Sequence, residues 1–253
     1  MLRRVAELLG RCGSEASVLP PTELYNEGWM LRLILDWFER NRDLPHALSF
    51  LPEARWYSEA LLPSRFLPRQ RGDDRAESFT HADGVVGHFT IAPGERGEAR
   101  LAPDTRQFLV TEAKLGSSLS TGTKNAPNYD QAARNVACMA HMVGLSRIKP
   151  RALERFAFYV LAPRRQVDAG VFGDLVTKHS ILKKVQARVE QYQGEWDLWF
   201  RETFQPVLER LDIGLLSWES ILDCLPTNAE TSGIREFYAV CLQFNPQRGN
   251  STV

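Results

Sequence analysis

At 253 residues, 43% hydrophobic and 25% charged, the chain can bury a sizeable core as one domain, and its composition excludes a disordered or low-complexity chain. Its 31 basic and 31 acidic residues cancel, so it lacks a global electrostatic signature of nucleic-acid binding, and any such binding must come from a local patch. Cys12, Cys138, Cys224 and Cys241 stand far apart without a CxxC pair, which points to buried thiols in a reducing compartment rather than a disulfide framework or a zinc site. No apolar run approaches a membrane span, and "MLRRVAELLG" is too short and amphipathic for a signal peptide, so a cytoplasmic location follows by default.

Residues 2–10 read as a short helix. "PPTELYNEGWMLRLILDWFER" predicts a strongly amphipathic helix over 22–40, starting near Thr22, with Met30, Leu31, Ile34, Leu35, Trp37 and Phe38 on one apolar stripe. "ARWYSEALLP" suits a strand, and "SRFLPRQRGDDRAE" is a polar, basic loop. "FTHADGVVGHFTI" predicts a strand, and "APGERGEARLAPDT" a turn-rich connection with room for a hairpin. "RQFLVTEAKL" is the next strand, "GSSLSTGTKNAPN" a loop, and "YDQAARNVACMAHMVG" a helix over 129–143 ended by Gly144. "RFAFYVLAP" is apolar and β-rich, as a buried strand is. Helices follow over 174–193 and 195–211, with a break at Pro206; then comes a short strand running into a helix at "IGLLSWESILDCL". "IREFYAVCLQF" fits either type. The order predicts an α/β sandwich with a mixed sheet, folded as a single domain over 1–253.

Charges fall where this pattern makes them costly. Phe108, Val110, Glu112 and Lys114 share one strand face, so a carboxylate and an ammonium sit in an apolar row. They suit either an exposed edge strand with an ion pair or a site that compensates them. Asp83 precedes Gly84, as in an Asp-Gly turn; alternatively Asp83 and Glu112 stand side by side on neighbouring strands. Two carboxylates so close repel, and a divalent cation with hard oxygen ligands removes that conflict. Glu27 lies in the apolar stripe of the first helix, either as a dipole-favoured residue of its first turn or pointing inward. On the helix over 129–143, Gln131, Arg134, Asn135 and Cys138 form a stripe beside the sheet-packing face, from which Gln131 and Arg134 can reach the strand ends.

These residues in this order resemble the PD-(D/E)xK nuclease superfamily, the restriction-endonuclease-like fold. The resemblance rests on Glu27 in "NEGWM", Asp83 in "ADG", the triplet Glu112-Ala113-Lys114 and Gln131 in "YDQAARN". It covers about 22–165, leaving a helical C-terminal extension over about 170–253. The residue before Asp83 is alanine rather than proline, and the long gap from Asp83 to Glu112 requires an insertion over 92–106. The exonuclease branch carries a tyrosine four residues after the glutamine; Asn135 stands there, so that branch is not assigned. The resemblance implies a restriction-endonuclease-like sandwich and Mg²⁺-dependent phosphodiester hydrolysis of nucleic acid, DNA in the first place, with Mn²⁺ as a substitute. Asp83, Glu112 and the Ala113 carbonyl would hold the metal, and Glu27 a second metal or a water on the first. Lys114 would position or activate the attacking water, and Gln131 would support the site. Phosphate contacts would fall to Lys124, Arg134, Arg164 and Arg165, with further cations at Arg65, Arg69, Arg71, Lys178, Lys183, Lys184 and Arg188. An alternative is a catalytically inactive protein of this fold serving as a nucleic-acid-binding or protein-interaction module. Nothing in the sequence sets an oligomeric state.

Overall fold

A computed structural model describes residues 1–77, 79–92 and 97–246. Helix α1 (Leu2–Leu9) carries no buried residue. Helix α2 (Glu27–Arg40) buries the six predicted stripe residues. It begins later than the expected Thr22 because a 3-10 turn (Pro21–Glu23) precedes it and Asn26 caps it, accepting a 3.0 Å hydrogen bond from the Trp29 amide.

The strands are β1 (Arg55–Leu62), β2 (Thr80–Gly87), the short β3 (Phe89–Ile91) and β4 (Ala99–Leu101), β5 (Gln107–Ala113), β6 (Arg155–Ala162) and β7 (Asp212–Ser217). Five of them form one sheet in the order β1-β2-β5-β6-β7. The β1–β2 and β2–β5 pairs are antiparallel, whereas the β5–β6 and β6–β7 pairs are parallel. β5 is buried at every residue, as a central strand covered on both faces must be. The expected strand over "FTHADGVVGHFTI" is broken at Gly87, whose φ of 148° swings the chain out of β2 into a β3–β4 hairpin. The insertion between Asp83 and Glu112 therefore starts before the expected residue 92; residues 93–96 of it lie outside the described residues.

Helix α3 (Gln131–Leu145) is capped by Asp130, which accepts from the Ala133 amide at 2.9 Å. It runs past the expected end at Gly144, which sits inside the helix as a close-packing position: a Cβ there would meet Thr203 at 2.9 Å. After β6 come α4 (Arg164–Asp168), a 3-10 turn (Gly173–Val176) and α5 (Lys178–Glu190), where one helix over 174–193 was expected. Helix α6 (Asp197–Trp199) passes through a π-helical turn (Phe200–Phe204) into α7 (Gln205–Arg210). Pro206, near the start of α7, lacks an N–H, and the helix adjusts its hydrogen bonding in the turn before it instead of breaking. Helix α8 (Trp218–Cys224) follows β7 directly, and "IREFYAVCLQF" lies in α9 (Ala229–Phe244).

Two apolar cores flank the sheet. One gathers Phe108 and Val110 of β5 with the apolar residues of α3, α5 and α7. The other gathers Leu109 and Ala113 with α2, α8 and α9. The mostly helical C-terminal segment is thus built into both faces and adds β7 to the sheet. Among the described residues, no helix is long and apolar enough to cross a membrane. The four cysteines are free; Cys224 is half-buried and the others are buried.

Candidate active site

The antiparallel register of β2 and β5 ends at the pair Gly84 and Thr111, so the next position along it faces Asp83 toward Glu112. Asp83 is therefore a strand residue, and the Asp-Gly turn does not form. Gly84 serves packing: a Cβ there would meet Thr111 Oγ1 at 2.5 Å and the Leu31 and Leu35 methyls of α2 at 3.0 Å. Where the ladder ends, the half-buried Asp83 side chain takes over, its Oδ2 accepting from the Ala113 amide at 2.7 Å.

Glu112 is 0% exposed and Lys114 8% exposed, which excludes the edge-strand reading. Glu112 Oε1 accepts from Lys114 Nζ at 2.6 Å and from Gln131 Nε2 at 2.5 Å. Its Oε2 accepts from Asn135 Nδ2 at 3.2 Å. Burial, and next the neighbouring Asp83 carboxylate, hold the Glu112 carboxyl well above the usual range against the opposing pull of Lys114. The strand continues one residue further through the Lys114 amide, which donates to the Leu161 carbonyl at 2.8 Å. From the C-terminal segment, the fully buried Trp218 donates its indole Nε1–H to the Lys114 carbonyl at 2.8 Å.

Glu27 stands at the first position of α2, half-buried, where the helix dipole favours a carboxylate. Its charge and that of Asp83 act on Glu59 of β1, whose carboxyl burial raises first and these two carboxylates raise further. Glu59 has φ 55° and pairs with Arg32 at 3.6 Å. It was not legible as a site neighbour because the left-handed residue interrupts the strand alternation. Asn135 was also not assigned a role, although its i,i+4 spacing from Gln131 puts both amides on one helical face.

The expected phosphate contacts are dispersed. Arg134 reaches the Thr80 end of β2, donating to Thr80 Oγ1 at 3.2 Å, but it also lies 3.6 Å from the buried Glu77 and so is engaged within the fold. Lys124 is exposed in the loop before α3. Arg164 and Arg165 are exposed on α4, with Arg164 paired to Asp223 at 2.8 Å. Lys184 bonds the α3 cap Asp130, and Arg188 is buried, bonding the Arg75 carbonyl and contacting the rings of Phe66, Tyr129 and Tyr192. Both are fold residues rather than solvated charges. A surface cleft of about 440 Å³, lined by Lys149, Pro150, Arg151, Pro206, Glu209 and Arg210, shares no residue with the site.

Among the described residues, no group of three or more His, Cys, Asp or Glu side chains forms a metal cluster. The donors present are two carboxylates and a strand-end backbone. Such a set suits a hard cation that binds through one or two carboxylates and keeps much of its own water, as Mg²⁺ does. No protein-family model matches the chain, nor does any curated protein or solved structure compared with it.

Two expectations follow. Burial and the Asp83 carboxylate push the Glu112 carboxyl up to about 8 from 4.5, so folding without metal favours its protonated form. The stability this confers is full below the unfolded pKa and is lost as pH rises through the folded one. Urea unfolding in EDTA should therefore show stability falling between about pH 5 and pH 9 by more in the wild type than in Glu112→Gln. Equal slopes would remove Glu112 as the source. Secondly, Trp218→Phe leaves the buried Lys114 carbonyl without its donor and should cost about 1–3 kcal/mol in the same assay at neutral pH. A change under about 0.5 kcal/mol, the size of an ordinary surface substitution, would deny the indole bond a part in holding the strand end.

Proposed function

We propose that the chain is a PD-(D/E)xK-type nuclease with a restriction-endonuclease-like core, hydrolysing phosphodiester bonds of nucleic acid, DNA in the first place, with Mg²⁺ or Mn²⁺. One observation carries this reading: Asp83 and Glu112 face each other where the β2–β5 ladder ends, with the Lys114 ammonium 2.6 Å from Glu112. In support, α2 with Glu27, β2 with Asp83, β5 with Glu112 and α3 with Gln131 follow one another in the order on which the sequence resemblance rests.

Asp83, Glu112 and the Ala113 carbonyl are the residues that would hold the cation, with Glu27 at the margin. A divalent cation bound there supplies positive charge against the paired carboxylates and an incoming phosphate. Gln131 fixes Glu112 through Oε1. Lys114 hydrogen-bonds and orients the attacking water, and its charge favours the phosphate as negative charge builds on it. Lys124 and Arg165, both exposed, are available for the nucleic-acid backbone, whereas Arg134 is committed to Glu77. A cytoplasmic location accords with the free cysteines.

A second reading, an inactive module of the same fold that binds nucleic acid or protein, is favoured by the Lys114–Glu112 pair, which partly neutralises the site without any cation. Incubation of the purified protein with circular and linear, single- and double-stranded DNA and RNA, in Mg²⁺, Mn²⁺ or EDTA, separates the two. The nuclease reading expects cleavage that EDTA abolishes. Binding without cleavage on every substrate supports the module instead.

A further inference from the structure

The hydrogen bonds around Glu112 distinguish its two oxygens. A carboxylate offers about four lone-pair sites, two on each oxygen. On Oε1 both are taken, by Lys114 Nζ at 2.6 Å and Gln131 Nε2 at 2.5 Å. On Oε2 one is taken, by Asn135 Nδ2 at 3.2 Å. The oxygen with a lone pair to spare for a cation is therefore the one that Asn135 holds.

Asn135 is set up for this task. It is 0% exposed, one helical turn beyond Gln131, and the two amides bracket the carboxylate from α3. Its Nδ2 also donates to the Gln131 carbonyl at 3.1 Å, so the amide is pinned to the helix backbone as well as to Glu112. Reversing the amide would bring Oδ1 against two acceptors, so these contacts determine its orientation. In the orientation adopted, Oδ1 is buried without a hydrogen-bond partner among the described residues. A buried acceptor left in that state is costly, and an apolar residue would pack there without the cost. Being neutral, the amide steers the carboxylate while leaving its negative charge for the cation.

We propose that Asn135 is a positioning residue that aims Glu112 Oε2 and thereby sets the affinity of the site for a divalent cation; this rests on the metal-dependent reading above. Residues that orient metal ligands typically contribute 10–100-fold in affinity. Isothermal titration calorimetry with MgCl₂ and MnCl₂ tests it on the wild type, Asn135→Leu and Asn135→Ser. Leucine keeps the volume and removes the donor, while serine is too short to reach Oε2 and guards against a leucine variant that fails to fold. Both variants should bind about 10–100-fold more weakly, with melting temperatures in EDTA within a few degrees of the wild type, or higher for leucine. Wild-type affinity in either folded variant would overturn the role of Asn135 and leave the metal site standing. A wild type that binds neither cation would overturn both.

Discussion

Replacing Lys114 by alanine is expected to lower the cleavage rate by about 10²–10⁴-fold, the usual contribution of a positioned proton-handling group. The lysine is 8% exposed and lies against Glu112, one strand position from the Asp83 bond to Ala113. Because this pair is buried, the substitution also has a structural effect. A surface pair contributes under about 1 kcal/mol, but a buried carboxylate that loses its cation can cost about 3–5 kcal/mol unless it takes up a proton. Glu112 is already inclined to do so, since burial and Asp83 both raise its pKa. A smaller stability loss, with the protein still folded by circular dichroism, is therefore expected beside the large rate loss. Lys114→Met, which keeps the apolar stem, should retain more stability and recover no activity. Wild-type turnover in a folded Lys114→Ala protein would remove the lysine from the chemistry.

Asp83→Asn should have the other large effect, with an opposite sign on stability. The amide oxygen can still accept from the Ala113 amide, so the strand end keeps its hydrogen bond. The charge that repels Glu112 is gone, and the metal-free protein should be as stable as the wild type or more so. The cation, however, loses one of its two carboxylates. In the wild type, Mg²⁺ at 100 times its dissociation constant should add about 2.7 kcal/mol of stability. In Asp83→Asn this increment should vanish together with cleavage. Thermal melts with and without Mg²⁺ measure both quantities, and an undiminished increment in the variant would place the ion elsewhere.

Much of this arrangement is legible in the sequence because two periodicities carry it. The apolar stripe of α2 and the alternation of Phe108, Val110, Glu112 and Lys114 came from residue spacing alone, and the structure keeps both. Asp83 was ambiguous because Asp-Gly is a common turn dipeptide. Gly84 is a glycine for a tertiary reason, the close approach of Leu31, Leu35 and Thr111, which no local pattern displays. Arg134 looked available because its buried partner, Glu77, belongs to a stretch that reads as a polar loop. Lys184 lies on the polar side of α5 and Arg188 beside its buried stripe of Ile181, Val185 and Val189, and only the fold brings Asp130 and the Arg75 carbonyl to them. Glu59 escaped notice because a left-handed residue inside a strand breaks the alternation that would have revealed it.

A time course of supercoiled plasmid cleavage tests the central assignment most directly, comparing wild type, Asp83→Asn and Lys114→Ala purified in parallel. Nicked and linear products should accumulate with the wild type in Mg²⁺, stop on addition of EDTA, and be at least about 100-fold slower with either variant. Equal cleavage by all three proteins, or none by the wild type in Mg²⁺ or Mn²⁺ on circular and linear substrates alike, would contradict a nuclease centred on Asp83, Glu112 and Lys114.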